Sequence, residues 1–525
     1  MIAAESGAAA ATPPPSPLAK LALFGAAFLA MLDLSISMVA LPALRDGLQA
    51  SLSGLQWTVD AYTLCFAGLL LVGGLISDRL GHRTALLLSV TLFVVGSAVC
   101  TGAPNLGVLI TGRAIQGAAA AVLVPGCMAL IAHLFPDPAQ RVKMLGLWSA
   151  LSGIAVALGP VIGGTLVDLA GWRTIFGINL PLGAVVLFCA AKALPVTQAQ
   201  RGRRLDVAGV VLGIVWAFSL AFAVIEGGSR GWGSPLIIGA FAVAALGLAA
   251  FLVVESRAEH AMLPLSLFRL PVFAAAGATA FVLGCSLSTA FYFLSLYLQQ
   301  VLDYSPMKAG LGFLPAAAAM ALAARYAAKL AATFKPRTIT VTGLGAGMIG
   351  LAGLAFTGPD TPFALVGVAL VLIGAGLGIA IPHNNSTALG SVPPTSAGAA
   401  SGTIQTLMQF GTVIGIAVLG AVQAGGFHDA LRERLAGLGV GADAARQAVD
   451  AISEGTVPAL EGVQPKTLVE AVSDTFAHGL QHSWAVAAVI AAVGALAVLL
   501  VRPAPAPPAA APATAAEPTK AGAAN

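Results

Sequence analysis

The sequence predicts an all-α polytopic membrane protein of about fourteen transmembrane helices: two six-helix bundles with two further helices inserted between them. Three observations lead there. Of 525 residues, 58% are hydrophobic and only 9% are charged, against about 25% charged in a soluble globular chain. The apolar residues fall in runs of about 20, the length that crosses a hydrocarbon core about 30 Å thick. Short breaks between the runs collect Lys and Arg unevenly, as loops on the two sides of a membrane do. This composition leaves no room for a large soluble catalytic domain.

Residues 1–18 are rich in Ala and Pro, carry no basic leader and read as a disordered tail, so the apolar stretch after Lys20 is a retained first span. Spans one to six are expected near 19–41, 57–77, 84–103, 105–130, 144–168 and 174–193, giving a first bundle over 19–193. A polar linker with Arg201, Arg203 and Arg204 opens the segment 194–270. It carries inserted spans near 206–226 and 235–255 and closes with Glu255, Arg257, Glu259, His260 and Arg269. Spans nine to fourteen follow near 271–299, 308–331, 338–357, 363–386, 398–425 and 483–502, a second bundle over 271–502. Segment 427–482 is the one long loop, with about eight acidic and four basic residues. Within it, Phe427 to Leu438 and Asp443 to Ile452 have the spacing of short amphipathic surface helices. The Ala/Pro tail 503–525 is low in complexity and reads as disordered.

Orientation follows from the short loops. With a cytoplasmic N-terminus, the inner loops hold about fifteen basic residues, among them Arg79, Arg83, Arg141, Lys143, Lys335 and Arg337, and the outer ones about four, Arg45, Arg173, Arg230 and Lys308. An even span count then places both termini in the cytoplasm. The net charge of +4 is spread over these loops, which fits topology and a lipid partner and gives no footprint for nucleic acid. Cys65, Cys100, Cys127, Cys189 and Cys285 all fall in apolar runs without a C-x-x-C pair, so they read as small buried residues. His478 and His482, four apart in the outer loop, lack further ligands, and no metal site is indicated.

Few polar groups lie inside the spans, and each needs a reason. Asp33 is inside span one and Arg113 inside span four, where an unpaired charge costs several kcal/mol. At about 1.5 Å per residue, Asp33 lies roughly 18 Å from the inner edge of its span, and Arg113 roughly 12 Å from the outer edge of a span running the other way. Both reach a similar level, so they are expected to couple across the first bundle, directly or through water. Asp60, near the outer end of span two, is either interfacial or a second carboxylate facing a cavity. In span five, Ala155, Gly159 and Gly163 recur every four residues, and Gly159-Pro160-Val161-Ile162-Gly163-Gly164 adds an internal proline. Small residues admit a neighbouring helix closely and Pro160 releases one backbone hydrogen bond, which together make a pliable contact. Gln116, Tyr292 and Gln409 are candidates to line a substrate cavity, and Tyr297 suits the outer aromatic belt. His383, Asn384 and Asn385, after Pro382, read as a helix-end cap.

Between spans two and three, Gly74-Leu75-Ile76-Ser77-Asp78-Arg79-Leu80-Gly81-His82-Arg83 forms a charged turn bracketed by glycines. Its pattern, G-x-x-x-D-R-x-G-[RKH]-[RK], resembles the corresponding loop of the major facilitator superfamily of secondary transporters. The resemblance covers nearly the whole chain. Leu32-Asp33 through Ala40-Leu41-Pro42 is similar to the first-span motif of the superfamily's fourteen-span drug:proton antiporter branch, and Arg113, Gln116 and Gly117 to its fourth-span motif. Gly159-Pro160 with Gly163-Gly164 is similar to the fifth-span motif associated with export. Trp172-Arg173, Asn179-Leu180-Pro181 and Gly183 resemble its start of span six. In the second half, Tyr297-Leu298-Gln299-Gln300, Gly310-Leu311, Leu314-Pro315 and Gly398 to Gly402 fit the same branch, whereas Arg325 to Arg337 lacks a clean repeat of the Asp78-Arg79 turn.

What the resemblance implies is a proton-coupled antiporter that exports hydrophobic or amphiphilic drugs or antibiotics across the plasma membrane by alternating access. Asp33, Arg113 and Asp60 would serve proton coupling. Gly74, Asp78, Arg79, Gly81 and Arg83 would form a conformational latch, and Gly159, Pro160, Gly163 and Gly164 the export-motif helix. The proton is the coupling ion, no cofactor is needed and a monomer suffices. A proton-coupled importer or a transporter-like sensor is the alternative. No G-x-x-x-x-G-K-[ST] or H-E-x-x-H occurs, which argues against an ATP-driven pump or a membrane enzyme.

Overall fold

In a computed structural model, described for residues 16–500 except 136, 197–206, 259–264, 394–396, 454–457, 459 and 461–462, the chain is almost entirely helical. Most of the two expected tails, and Arg201, Arg203, Arg204, Glu259 and His260, lie outside the described residues. The first bundle comprises span one (Pro17–Val39), span two (Leu52–Leu80), span three (His82–Thr101), span four (Leu106–Leu134), span five (Pro138–Ala170) and span six (Thr174–Ala193). The inserted pair is span seven (Val207–Arg230) and span eight (Pro235–Arg257). The second bundle comprises span nine (Pro271–Val301), span ten (Pro306–Ala327, its helix continuing to Thr333), span eleven (Pro336–Leu354), span twelve (Phe363–Gly390), span thirteen (Ala397–Gly437) and span fourteen (Pro465–Leu500). Among the described residues, twelve helices are long and apolar enough to cross a membrane, and thirteen with span two counted as one bent span. The remaining element, span eleven, is richer in Thr and Gly and so less apolar, yet it packs between spans twelve and fourteen as the others do.

Local chemistry sets the ends. Ser16, Ser51, Asn105, Asp137, Ser234 and Ser305 each accept a backbone N–H in the first turn of the helix that follows, supplying donors with an acceptor where the helix has none. Span two bends by 64° between Leu52–Leu70 and Val72–Leu80, beside the Gly73-Gly74 pair, where the helix is easiest to bend. Span nine widens into π-helical turns at Thr289–Phe293 and Tyr297–Val301.

Segment 427–482 differs from the expected loop. Phe427 to Gly437 is the unbroken continuation of span thirteen, which runs for 41 residues, and span fourteen starts at Pro465 and runs for 36. Between them stands the amphipathic helix Ala442–Ser453, with Ala445, Ala448, Val449 and Ile452 buried. Its polar residues resemble a loop by composition, but its apolar positions at helical spacing give one face a core to join. His383 and Asn384 also differ from expectation: the helix continues to Gly390, and Asn384 Nδ2 instead bonds the Ala276 carbonyl of span nine at 2.9 Å. Tyr297 is not in a lipid belt. It is fully buried, its hydroxyl donating to the Gly358 carbonyl at 2.9 Å and its ring edge-on to Trp484.

Pro17 and Leu500 lie on one face of the molecule, with the turn at Gly81, and the short helix Leu41–Leu48 and Ala442–Ser453 lie on the opposite, distal face. On the distal half, one apolar core joins the bundles, running from Leu41, Leu44, Leu52 and Leu55 to Leu294, Phe313, Phe427 and Trp484. On the terminal half, one core consists of residues from 19–194 and another of residues from 267–408. Span five meets span ten across the seam, where Gly164 lies against Pro306 and Gly310 against the carbonyl of Pro160. Span seven is wedged between spans two and thirteen, with Trp57, Leu64, Ala217, Ala221, Val413 and Ala417 in a shared cluster.

Gly117 packs directly on the Tyr62 backbone, joining spans two and four. Gly117→Val is expected to cost about 1–3 kcal/mol by overpacking. Melting of detergent-purified protein followed by tryptophan fluorescence checks this, and an unchanged midpoint would refute the close approach.

Candidate functional site

The polar heart of the first bundle lies where spans one, four and six converge. Asp33, Arg113, Gln116 and Asn179 are all fully buried there. Arg113 Nη1 meets Asp33 Oδ2 at 2.5 Å and donates to Gln116 Oε1 at 3.0 Å, while Arg113 Nε donates to the Thr58 carbonyl at 3.1 Å. The other carboxylate oxygen, Oδ1, accepts from Gln116 Nε2 at 2.9 Å and from Asn179 Nδ2 at 2.6 Å. Gln116 Nε2 also donates to Ser97 Oγ on span three at 2.9 Å. The guanidinium lies over the Tyr62 ring at 4.4 Å and closer to that ring than to Phe176 at 5.8 Å, so aromatic faces cover the charge that its hydrogen bonds leave open.

Asp33 and Arg113 therefore meet directly. In a low-dielectric interior a lone ion is costly, and an ion pair persists only if hydrogen bonds also serve its remaining polar atoms. Here Gln116 and Asn179 serve the carboxylate and Thr58 and Gln116 part of the guanidinium, while Arg113 Nη2 has no hydrogen-bond partner. Gln116, expected in a cavity wall, has its amide committed to this network. Asn179 and Ser97 were not anticipated as members, because a single neutral polar residue in an apolar run gives no sign of what it faces.

Asp60 is fully buried in span two, and neither of its carboxylate oxygens has a hydrogen-bond partner. It is thus interior, not interfacial. Tyr292 of span nine is buried within electrostatic reach of both Asp60 and Arg45. Gln409 is buried in span thirteen.

The small face of span five divides its work. Gly159 and Gly163 pack on Ser35 and Ile36 of span one, whereas Gly164 and Pro160 face span ten across the seam. In the charged turn, Gly81 has φ of 78°, a conformation that glycine adopts without strain. His82 Nδ1 lies 3.0 Å from Ser77 Oγ and 3.8 Å from Asp78 Oδ1, and Arg83 Nη2 donates to the Ala191 carbonyl of span six at 2.7 Å. Gly74 has room beside Pro125; the close approach to span four is at Gly73, against the Ala121 carbonyl. Among the described residues, no group of three His, Cys, Asp or Glu side chains could hold a metal ion.

Two helical bundles joined along one seam, with an ion pair sealed inside one of them and no soluble domain among the described residues, define a polytopic membrane transport protein. The chain belongs to the Major Facilitator Superfamily, whose sequence profile matches residues 23–416. It is 35% identical over 395 residues to the methylenomycin A resistance protein of Bacillus subtilis, covering 75% of this chain and 84% of that one. It is 37% identical over 401 residues to the multidrug resistance protein Stp of Mycobacterium tuberculosis, covering 76% and 74%. Over 478 residues it is 31% identical to the tetracenomycin C resistance and export protein of Streptomyces glaucescens, covering 90% and 89%. The fold is similar to that of a bacterial homologue of the human lysosomal transporter Spinster, in an inward-facing and unoccupied conformation, with a TM-score of 0.65 at 16% identity over 92% of this chain and 96% of that one.

Arg113→Ala strands the Asp33 carboxylate and is expected to cost about 3–5 kcal/mol. Adding Asp33→Asn should recover part of that loss. Chemical denaturation of the purified variants checks both, and a double variant no more stable than the single would refute the pairing.

Proposed function

We propose that this protein is a proton-coupled antiporter that exports hydrophobic or amphiphilic drugs or antibiotics across the plasma membrane by alternating access. The observation that carries the reading is the sealed cluster around Asp33, in a chain whose relatives are named for resistance and export. Asp33 holds its charge against three donors from spans four and six, so a proton that binds there removes the charge that holds Arg113 and loosens all three contacts. Protonation is then inseparable from a rearrangement of spans one, four and six. Span one bears on span five through Gly159 and Gly163, and span five bears on span ten through Gly164 and Pro160. These contacts make a continuous path from the proton site to the seam between bundles.

The excess of Lys and Arg on the terminal face supports cytoplasmic termini and an exit on the distal face. The shared distal core and separate terminal cores support a state turned toward the cytoplasm. Asp60, without a donor, serves as a second proton carrier. The turn at Asp78 to Arg83 holds the cytoplasmic ends of spans two, three and six together and biases the two states. Such a mechanism needs one chain, a lipid bilayer, a small substrate and protons, and no cofactor.

Susceptibility and dye efflux of cells expressing wild type, Asp33→Asn and Asp78→Asn test the reading. Both variants are expected to insert normally. Asp33→Asn should lose efflux driven by a pH gradient, and Asp78→Asn should change its rate by shifting populations. Undiminished gradient-driven efflux in Asp33→Asn would overturn the proton-site assignment. Preloaded vesicles given an inward proton gradient separate export from import, because an importer would retain the solute.

A further inference from the structure

Pro42 is in the first turn of the short helix Leu41–Leu48, which follows span one after a break at Ala40. A regular helix would satisfy the Met38 carbonyl with the N–H of residue 42, four positions on, and proline has none. That carbonyl is buried and needs a donor from elsewhere. It receives one from the other bundle: Ser295 Oγ of span nine donates to it at 2.6 Å. The next carbonyl, of Val39, accepts from Gln299 Nε2 at 3.0 Å, and the same amide lies 3.0 Å from Ser295 Oγ.

The donors are themselves specially placed. Ser295 and Gln299 are four residues apart on one face of span nine, in the stretch where π-helical turns flank Leu294–Leu296. A widened turn shifts the direction of the side chains that follow it, and such turns recur at functional positions. Ser295 is fully buried. The result is a relay of hydrogen bonds from Gln299 through Ser295 to the end of span one, crossing the seam between bundles on the distal side.

We propose that Ser295 and Gln299 are positioning residues of the transport cycle, latching the distal seam shut on the carbonyl that Pro42 leaves free. This rests on the alternating-access reading above, in which the distal seam must part for substrate to leave. When it parts, water replaces the donors at both carbonyls. The latch therefore adds little to the stability of the fold but favours the closed exit over the open one. Pro42 acts by what it withholds, and Ser295 by supplying it from the partner bundle.

The test reads the seam directly, without substrate or a proton gradient, so it succeeds or fails separately from the assignment of Asp33. Ala309 is fully buried in the seam beside Gly310, and an Ala309→Cys reporter is labelled by a membrane-impermeant maleimide only when the distal side opens. In that background Ser295→Ala is expected to speed labelling by about two- to tenfold, the factor set by losing one hydrogen bond in a two-state equilibrium. Pro42→Ala, which restores an N–H to Met38, should speed it similarly, and the double variant should label no faster than the faster single. Labelling of Ser295→Ala at the wild-type rate, or strictly multiplicative effects of the two changes, would overturn the proposal. Should Pro42→Ala fail to insert, Gln299→Leu takes its place in the cycle and the same non-additivity is required.

Discussion

Everything in the first bundle is arranged around one constraint: a carboxylate and a guanidinium lie inside a lipid-embedded helical bundle and must neutralise each other there. Asp33 and Arg113 do so at 2.5 Å, and the amides of Gln116 and Asn179 serve the other carboxylate oxygen. Removing both charges from water costs more than a single contact returns unless the remaining polar atoms are also served. That is why the cluster recruits spans one, three, four and six and takes a backbone carbonyl from span two. The pair sets which helices must be neighbours, and glycine then lets them approach. Gly117 on Tyr62 and Gly159 on Ser35 are close enough that any side chain would intrude.

The same economy of side chains shapes the contact between bundles. Membrane helices gain little from burying apolar surface against one another, since lipid is as apolar as leucine, so association relies on close backbone approach and a few polar contacts. The distal seam has both. Glycine on span five meets the start of span ten and glycine on span ten meets span five, and Asp168 of span five accepts the Met307 N–H at 3.0 Å, capping a helix of the other bundle. These close backbone contacts and single hydrogen bonds stand beside the apolar core that the two bundles share on the distal half.

The fold was largely legible because hydropathy over 20 residues is a strong signal and charge in the loops is a second, independent one. Asp33 and Arg113 were legible for the opposite reason, as charges where none should be, and depth along their helices was enough to set them level. Asn179 and Ser97 were not, since a neutral polar residue in a span can bond its own helix or a neighbour and sequence does not tell which. For the same reason the bonds of Gln116 to Arg113, Asp33 and Ser97 were not legible. Helical spacing at Phe427 to Leu438 was legible, but its continuity with span thirteen and the early start of span fourteen were not, because beyond the bilayer a helix must look polar. Ser295 and Gln299 were invisible because their partners are backbone carbonyls; only Pro42 marked the place, and only once the opposing helix was known.

Span thirteen, at 41 residues and about 1.5 Å each, is a rod about 60 Å long set in a layer about 30 Å thick. Such a rod is a lever whose tip travels further than its fulcrum. A tilt of about ten degrees displaces a point 30 Å from the pivot by about 5 Å, while a point a third as far moves under 2 Å. Ala442–Ser453 stands at that tip, and Arg45 Nη2 of the first bundle bonds its Ile452 carbonyl at 2.9 Å. By this geometry any small rotation deep in the membrane would be magnified at the rim, where the Arg45 bond stands furthest from the pivot.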